Sequence, residues 1–155
     1  MKLTEQEKKV LGDICMSSSQ NAGNALKTMI NKAVNVEFLN MDLRTESIEK
    51  MSKNALMGIA DLSGDLGGTM VVSYSTEEGL KLVDLMMMQP VNTLQAITED
   101  ARSAFTEFIN IIGGAFLNSM AERLNFRLAP NPPQYIGTVD DLRADIALRI
   151  SDHAD

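Results

Sequence analysis

The stretch TEDARSAFTEFINIIGGAFLNSMAERL, residues 98–124, decides how the chain folds. At about 100° per residue, Phe105, Phe108, Ile109, Ile112, Ala115 and Phe116 share one broad apolar face, which predicts a long helix from about Thr98 to Leu124 with that face buried. Ser103, Glu107, Asn110 and Gly114 fall in a narrow stripe on the opposite side, and Ala121 continues it one level down. The stripe holds a hydroxyl, a carboxylate, a carboxamide and small residues, with no Lys or Arg. A merely solvated face is normally filled with strong helix formers. Asn110, Gly113 and Gly114 are instead unfavourable in a helix interior, by up to about 1 kcal/mol for each Gly. Glycines also let another backbone come close. The stripe is therefore expected to dock something.

Working outward, Thr76-Glu77-Glu78 should cap a short helix ending near Met88, where Gln89-Pro90 stops it. Asn54 to Leu62 and Gly68 to Ser75 have the pattern of two strands around the turn Ser63-Gly64-Asp65-Leu66-Gly67. Near the N-terminus, Thr4 with Glu7 forms a capping box for a helix running to about Lys32, with Leu11, Ile14, Cys15, Ala22, Leu26 and Met29 at helical spacing. Val34 to Asn40 then alternates like a strand. Beyond the decisive helix, Asn125 to Pro130 is expected to be extended, Pro132-Pro133 excludes regular structure, and Asp145 to Ile150 has the look of a further strand.

This order points to an internal repeat. At an offset of 94, Asn24 falls on Asn118, Leu26 on Met120, Ile30 on Leu124 and Asn31 on Asn125. The expected architecture is α+β: a pseudo-twofold repeat of a long helix plus antiparallel strands, the two long helices packed on a sheet, in one domain over 1–155. The repeat would map Gly68 to Ser75 onto 162–169. Either the second half lacks that strand, leaving the C-terminal sheet incomplete, or the sequence is a piece of a longer chain.

Composition narrows the chemistry. Hydrophobic residues make up 45% of 155, enough for a core, and 11 Met with no Trp make that core aliphatic and thioether-rich. The formal charge of −7 with scattered basic residues disfavours nucleic acid and anionic membrane surfaces as partners. There is no signal-peptide pattern at the N-terminus and no run of about 20 apolar residues. Cys15 is the only cysteine, as expected for a reducing cytoplasm. The only histidine, His153, lies at the C-terminal end, so a Ser-His-Asp or Cys-His arrangement and a zinc site are poorly supplied.

Smaller features weigh towards structure. Gly64-Asp65-Leu66-Gly67-Gly68 precedes a strand, so a hairpin turn is favoured over a phosphate cradle. Met86-Met87-Met88 is assigned to core packing at a helix end, ahead of an adaptable partner-binding patch. Cys15 is expected to be inert, and Asp140, Asp141 and Asp145 lack the spacing of a calcium loop and are assigned to solvent.

The spacing Ser103-x3-Glu107-x2-Asn110-x22-Pro133 resembles the signature of the CheC/CheX/FliY chemotaxis phosphatases, as do Phe116 to Met120, Asn131-Pro132-Pro133 and Asn21 to Leu26 around it. The resemblance implies a CheC-like fold and hydrolysis of the aspartyl phosphate on a CheY-type response regulator. It implies that Glu107 pairs with a lysine beside the phosphorylated aspartate and that Asn110 holds a water in line with phosphorus, with Ser103, Gly114 and Pro133 supporting. The protein would need no cofactor of its own, the regulator supplying Mg²⁺. An acyl phosphate is already activated, so catalysis reduces to positioning and electrostatics, for which a carboxamide suffices. The equivalent first-half positions are Lys9, Asp13, Met16 and Leu39, which makes the first site degenerate. Two other uses of the stripe stay open: a non-catalytic adaptor binding the receptor deamidase CheD or a response regulator, and a homodimer contact.

Overall fold

The computed structural model describes residues 4–39 and 54–152. They form α1 (Glu5–Ile30), β1 (Ala55–Gly64), β2 (Gly68–Ser75), α2 (Thr76–Met86), α3 (Glu99–Leu124), β3 (Leu128–Pro130), β4 (Gln134–Ile136) and α4 (Val139–Asp152). This is an α+β fold: four helices with a four-stranded antiparallel sheet. Among the described residues, no helix is long and apolar enough to cross a membrane.

The long helices begin and end on the residues that the repeat pairs. At the start of α1 the Thr4 hydroxyl accepts from the Glu7 N–H at 3.3 Å, and the Glu7 carboxylate accepts from the Thr4 N–H at 2.7 Å. The Thr4 N–H and the Thr4 hydroxyl, both donating to the Glu7 carboxylate, hold that carboxyl below its ordinary range. At the start of α3 the Thr98 hydroxyl accepts from the Ala101 N–H at 3.1 Å. Each helix runs for 26 residues and each is followed by a left-handed Asn: Asn31 at φ 50° and Asn125 at φ 54°. Asn tolerates this conformation better than most L-residues, so it stops a helix cleanly.

The halves then diverge. Residues 33–39 form no strand, contrary to the alternating pattern at Val34 to Asn40, of which Asn40 lies outside the described residues. Val36 instead packs against α1 at Gly23, where a Cβ would lie only 3.1 Å from the valine Cβ. The strand expected at Asp145 to Ile150 is the second half of α4. The Thr138 hydroxyl starts that helix by accepting from the Asp141 N–H at 3.0 Å, and Val139, Leu142 and Ile146 bury one helical face. Asp140 and Asp141 are exposed, whereas Asp145 is half-buried and paired with Arg149. His153 lies outside the described residues.

The sheet runs in the order β2-β1-β3, with β4 also on β1. Leu62 opposes Pro130 and Met57 opposes Ile136, so the short β3 and β4 serve successive parts of one long strand. The β1–β2 turn uses Gly64 at φ 124° and Gly68 at φ 154°, a region that L side chains rarely adopt.

By contacts the described residues divide into two compact units. The first holds 4–39, 60–70 and 107–133, and the second 54–59, 71–106 and 134–152. In the second unit, Ala55 to Ile59 are all buried because both faces of the strand are covered. Ala55, Met57 and Ile59 pack with Ile136, Val139 and Leu142, while Leu56 lies on Gly79 of α2. The fully buried Asp84 of α2 gathers the following loop: its carboxylate accepts from the Thr93 and Leu94 N–H groups at 3.0 and 3.1 Å and from the Gln89 amide at 2.8 Å. That loop takes the chain away from the core, so Met87 and Met88 are exposed, Met88 by 89% at φ 56°. The expectation of core packing for that methionine run therefore fails beyond Met86, which is half-buried.

Candidate functional site

In the first unit the C-terminal part of α3 is held on two sides. Leu117 and Ala121 pack with Leu128 of β3, and Leu62, Met70 and Phe116 close around them. Phe108 and Ile109 are fully buried. Along another flank α1 runs antiparallel to α3: the Asn21 amide donates to the Ser119 hydroxyl at 2.7 Å, and the Arg123 guanidinium donates to the Ser17 hydroxyl at 2.6 Å. A helix bedded in this way has one free side.

Glu107 and Asn110 occupy that side, and both are exposed. Three residues apart on a helix, they are neighbours separated by about 4.5 Å of rise. Gly114 follows one turn further on; a Cβ built there would meet nothing within 4 Å. Gly113 differs. It is buried, and a Cβ there would lie 2.9 Å from the Met70 sulfur, so this glycine serves the core and leaves no room for an incoming backbone. The open approach foreseen for both glycines holds at Gly114 alone.

Ala121 also departs from expectation. Its angular position continues the stripe, yet it is only 7% exposed because β3 folds back and sets Leu128 against it. Asn118, exposed and between Gly114 and Ala121 in height, lies on the same side of the helix. The sequence carried a signal for it, since 118 falls within about 60° of the Ser103–Gly114 line.

Ser103 is exposed and stands one turn before Glu107 on the same helix, among the residues of the second unit. There Phe105 is packed edge-on by Tyr74 and Tyr135, with ring centroids 6.4 and 6.5 Å away, and the Arg102 guanidinium lies 5.2 Å from the Tyr135 ring centroid. Pro133 is half-buried in the link between β3 and β4. That link is fixed from the sheet, where the Asn131 N–H donates to the Asp61 carbonyl at 2.7 Å.

The corresponding face of α1 presents Lys9, Asp13 and Met16, all exposed, and Leu39 is 84% exposed. A thioether is a weak acceptor and no donor, so it cannot orient a water as an amide does. Cys15 is half-buried and its thiol is pushed up by desolvation, which keeps it protonated and unreactive. Among the described residues, no three His, Cys, Asp or Glu side chains gather as metal donors.

The exposed pair thus joins a charge that can seize a cation to an amide that can donate and accept at once. It sits on a helix, one turn before Gly114, where the surface carries no side chain. The family model described as Chemotaxis phosphatase CheX matches residues 56–140, more than half of the chain, a span that includes the four signature positions Ser103, Glu107, Asn110 and Pro133. Among solved structures the chain is similar in fold to FliY from Thermotoga maritima, with a TM-score of 0.78 at 20% identity over 91% of this chain and 73% of that one. It is similar to CheX from Desulfovibrio desulfuricans, with a TM-score of 0.56 at 17% identity over 81% and 79%. CheX in the CheX–CheY–BeF3–Mg²⁺ complex from Borrelia burgdorferi matches with a TM-score of 0.55 at 20% identity over 80% and 74%.

Proposed function

Because the chain belongs to the CheX family of chemotaxis phosphatases, we propose that it hydrolyses the aspartyl phosphate of a CheY-type response regulator, with Asn110 and Glu107 in the working roles. The observation that carries this reading is the exposed Asn110 on a helix whose opposite face is buried at Phe108 and Ile109. A carboxamide held in this way accepts one hydrogen bond from a water and donates another to a phosphoryl oxygen, which orients the water for in-line attack. Glu107, one turn away, pairs with a cationic side chain of the regulator and sets the depth to which α3 enters. Gly114 gives the regulator's backbone room to approach. Mg²⁺ and the acyl phosphate belong to the regulator, and the complex of a Borrelia burgdorferi CheX with CheY, BeF3 and Mg²⁺ supports that division.

The experiment follows decay of the phosphorylated regulator with wild-type protein and with Asn110→Ala. Loss of one preorganised transition-state contact lowers kcat by about 10²–10³-fold, while KM stays within about threefold because docking rests on other residues. Equal kcat for the two proteins removes Asn110 from the chemistry. Binding of the regulator by the wild type without faster hydrolysis makes the protein an adaptor instead.

A further inference from the structure

The exposed side of α3 does not end at Gly114. One turn below, Asn118, Ala121, Glu122, Asn125, Phe126, Arg127 and Leu128 line a groove of about 350 Å³, entirely within the first unit. Asn125 and Phe126 owe their places to the helix end. The Asn125 N–H donates to the Glu122 carbonyl at 3.3 Å and the Phe126 N–H to the Ala121 carbonyl at 3.0 Å. With Asn125 in the left-handed region, this is a Schellman arrangement, and it sets the residue after the left-handed position against the last turn of the helix. Phe126 is thereby fixed beside Ala121 with 43% of its surface exposed.

We infer that this groove is a second docking subsite for the same response regulator, and that it receives a lysine or arginine side chain. The inference rests on the function proposed above. Its first support is continuity. The groove lies about 16 Å along the helix from Asn110 at 1.5 Å per residue, and a standard interface of about 800 Å² per partner spans roughly twice that distance. A regulator seated on Asn110 and Gly114 therefore overlies the groove.

The second support is the groove's chemistry. Ala121, Leu128 and the Phe126 ring make an apolar floor and wall that suit an alkyl stem. The exposed Glu122 carboxylate and the Asn118 and Asn125 amides put acceptor oxygens at the rim, and an aromatic face adds attraction for a cation. Two arginines share this surface, Arg127 in the lining itself and Arg123 next to Glu122 in the chain. Arg127 is clamped by Asp65, whose carboxylate accepts its guanidinium at 2.8 Å and its N–H at 2.8 Å, and Arg123 donates to Ser17. The Arg127 charge is balanced by Asp65 and the Arg123 guanidinium is turned towards α1, which leaves Glu122 as the acidic group that an incoming cation meets.

The test compares wild type with Phe126→Ala, Glu122→Lys and Glu122→Gln, all at exposed positions. Each is titrated against a CheY-type regulator loaded with beryllofluoride and Mg²⁺, and in parallel kcat and KM for dephosphorylation are measured. The expected result is a Kd and KM about tenfold higher for Phe126→Ala and Glu122→Lys, and about threefold higher for Glu122→Gln, with kcat unchanged. The Glu122→Lys effect should shrink as salt is raised to about 1 M, where screening acts over about 3 Å. Unchanged Kd for both Phe126→Ala and Glu122→Lys overturns the subsite, as does a loss confined to kcat. A wild-type mass that rises with concentration and falls back in Phe126→Ala makes the occupant a second copy of the chain, and overturns it too. Binding without hydrolysis overturns the proposed function while the Kd values still decide the subsite. A wild type that binds no such regulator overturns both.

Discussion

Gly113 and Gly114 are adjacent in sequence and opposite in circumstance, which makes them a matched pair for separating stability from docking. At Gly114 a Cβ meets nothing within 4 Å, so Gly114→Ala gains helix propensity at no packing cost. The gain is about 0.8–1.0 kcal/mol, or about 2–4 °C in Tm for a chain of this size. Gly113→Ala gains the same propensity but drives its Cβ onto the Met70 side chain, whose sulfur lies 2.9 Å away. Overpacking of this kind costs about 1–3 kcal/mol, although the flexible end of Met70 can swing. The net expectation is a loss between zero and about 2 kcal/mol. Gly114→Leu separates the two effects: it should keep the fold and stability, yet it projects four carbons into the space assigned to the regulator. Forcing these into a packed interface costs about 1–3 kcal/mol, or roughly 5- to 150-fold in KM. Urea unfolding reads the first quantity and regulator dephosphorylation the second. A Gly114→Leu protein as stable as wild type with unchanged KM would refute the docking face. A stabilising Gly113→Ala beside a destabilising Gly114→Ala would refute the packing argument.

Three further expectations follow from named contacts. Glu107→Ala should raise KM about tenfold at low salt with kcat within about twofold, and a selective fall in kcat would give this carboxylate a chemical role instead. Asp84→Ala removes the buried acceptor of the part-buried Thr93 and Leu94 N–H groups. A fully buried unsatisfied donor costs about 1–3 kcal/mol, and because these two are part-buried the lower half of that range applies to each, so urea unfolding should show a loss of about 2–4 kcal/mol; a loss under about 1 kcal/mol would mean that the loop re-satisfies itself. Hydrogen bonds from Arg127 hold the Asp65 carboxyl below its ordinary value of 3.8. A value lower in the folded chain than in the unfolded one stabilises the fold above the unfolded value, and that contribution disappears as pH falls through the folded value. The stability difference between wild type and Asp65→Asn should be constant near neutrality and shrink below about pH 4. A difference that persists to pH 2 contradicts the linkage.

Much of the fold was legible where local chemistry is self-contained. Thr4, Thr98, Asn31 and Asn125 announce both ends of both long helices, and the glycines around Asp65 announce the β1–β2 turn. The exposed face of α3 was legible because helical angle alone separates Asn110 from the buried Phe108 and Ile109. Errors arose where a distant segment decides. Ala121 has the right angle for the stripe, but Leu128 returns from β3 to cover it. Val34 to Leu39 alternates as a strand should and instead packs along α1 at Gly23. Met87 and Met88 are apolar enough for a core, yet the loop gathered by Asp84 carries them outward. The α4 helix was missed although Thr138 with Asp141 is a helix start and Val139, Leu142 and Ile146 repeat at helical spacing; the alternation in Asp145 to Ile150 obscured both. The three-residue β4 is too short to show a period at all.

The caps of α3 have a consequence for recognition. With Thr98 closing one end and the left-handed turn at Asn125 closing the other, the amide of Asn110 rides on a rod that is finished before any partner arrives. Such a probe does not mould itself to what it meets. Under the function proposed above, the burden of fit then passes to the regulator, and selectivity among regulators lies in the shape of the surface that this chain meets.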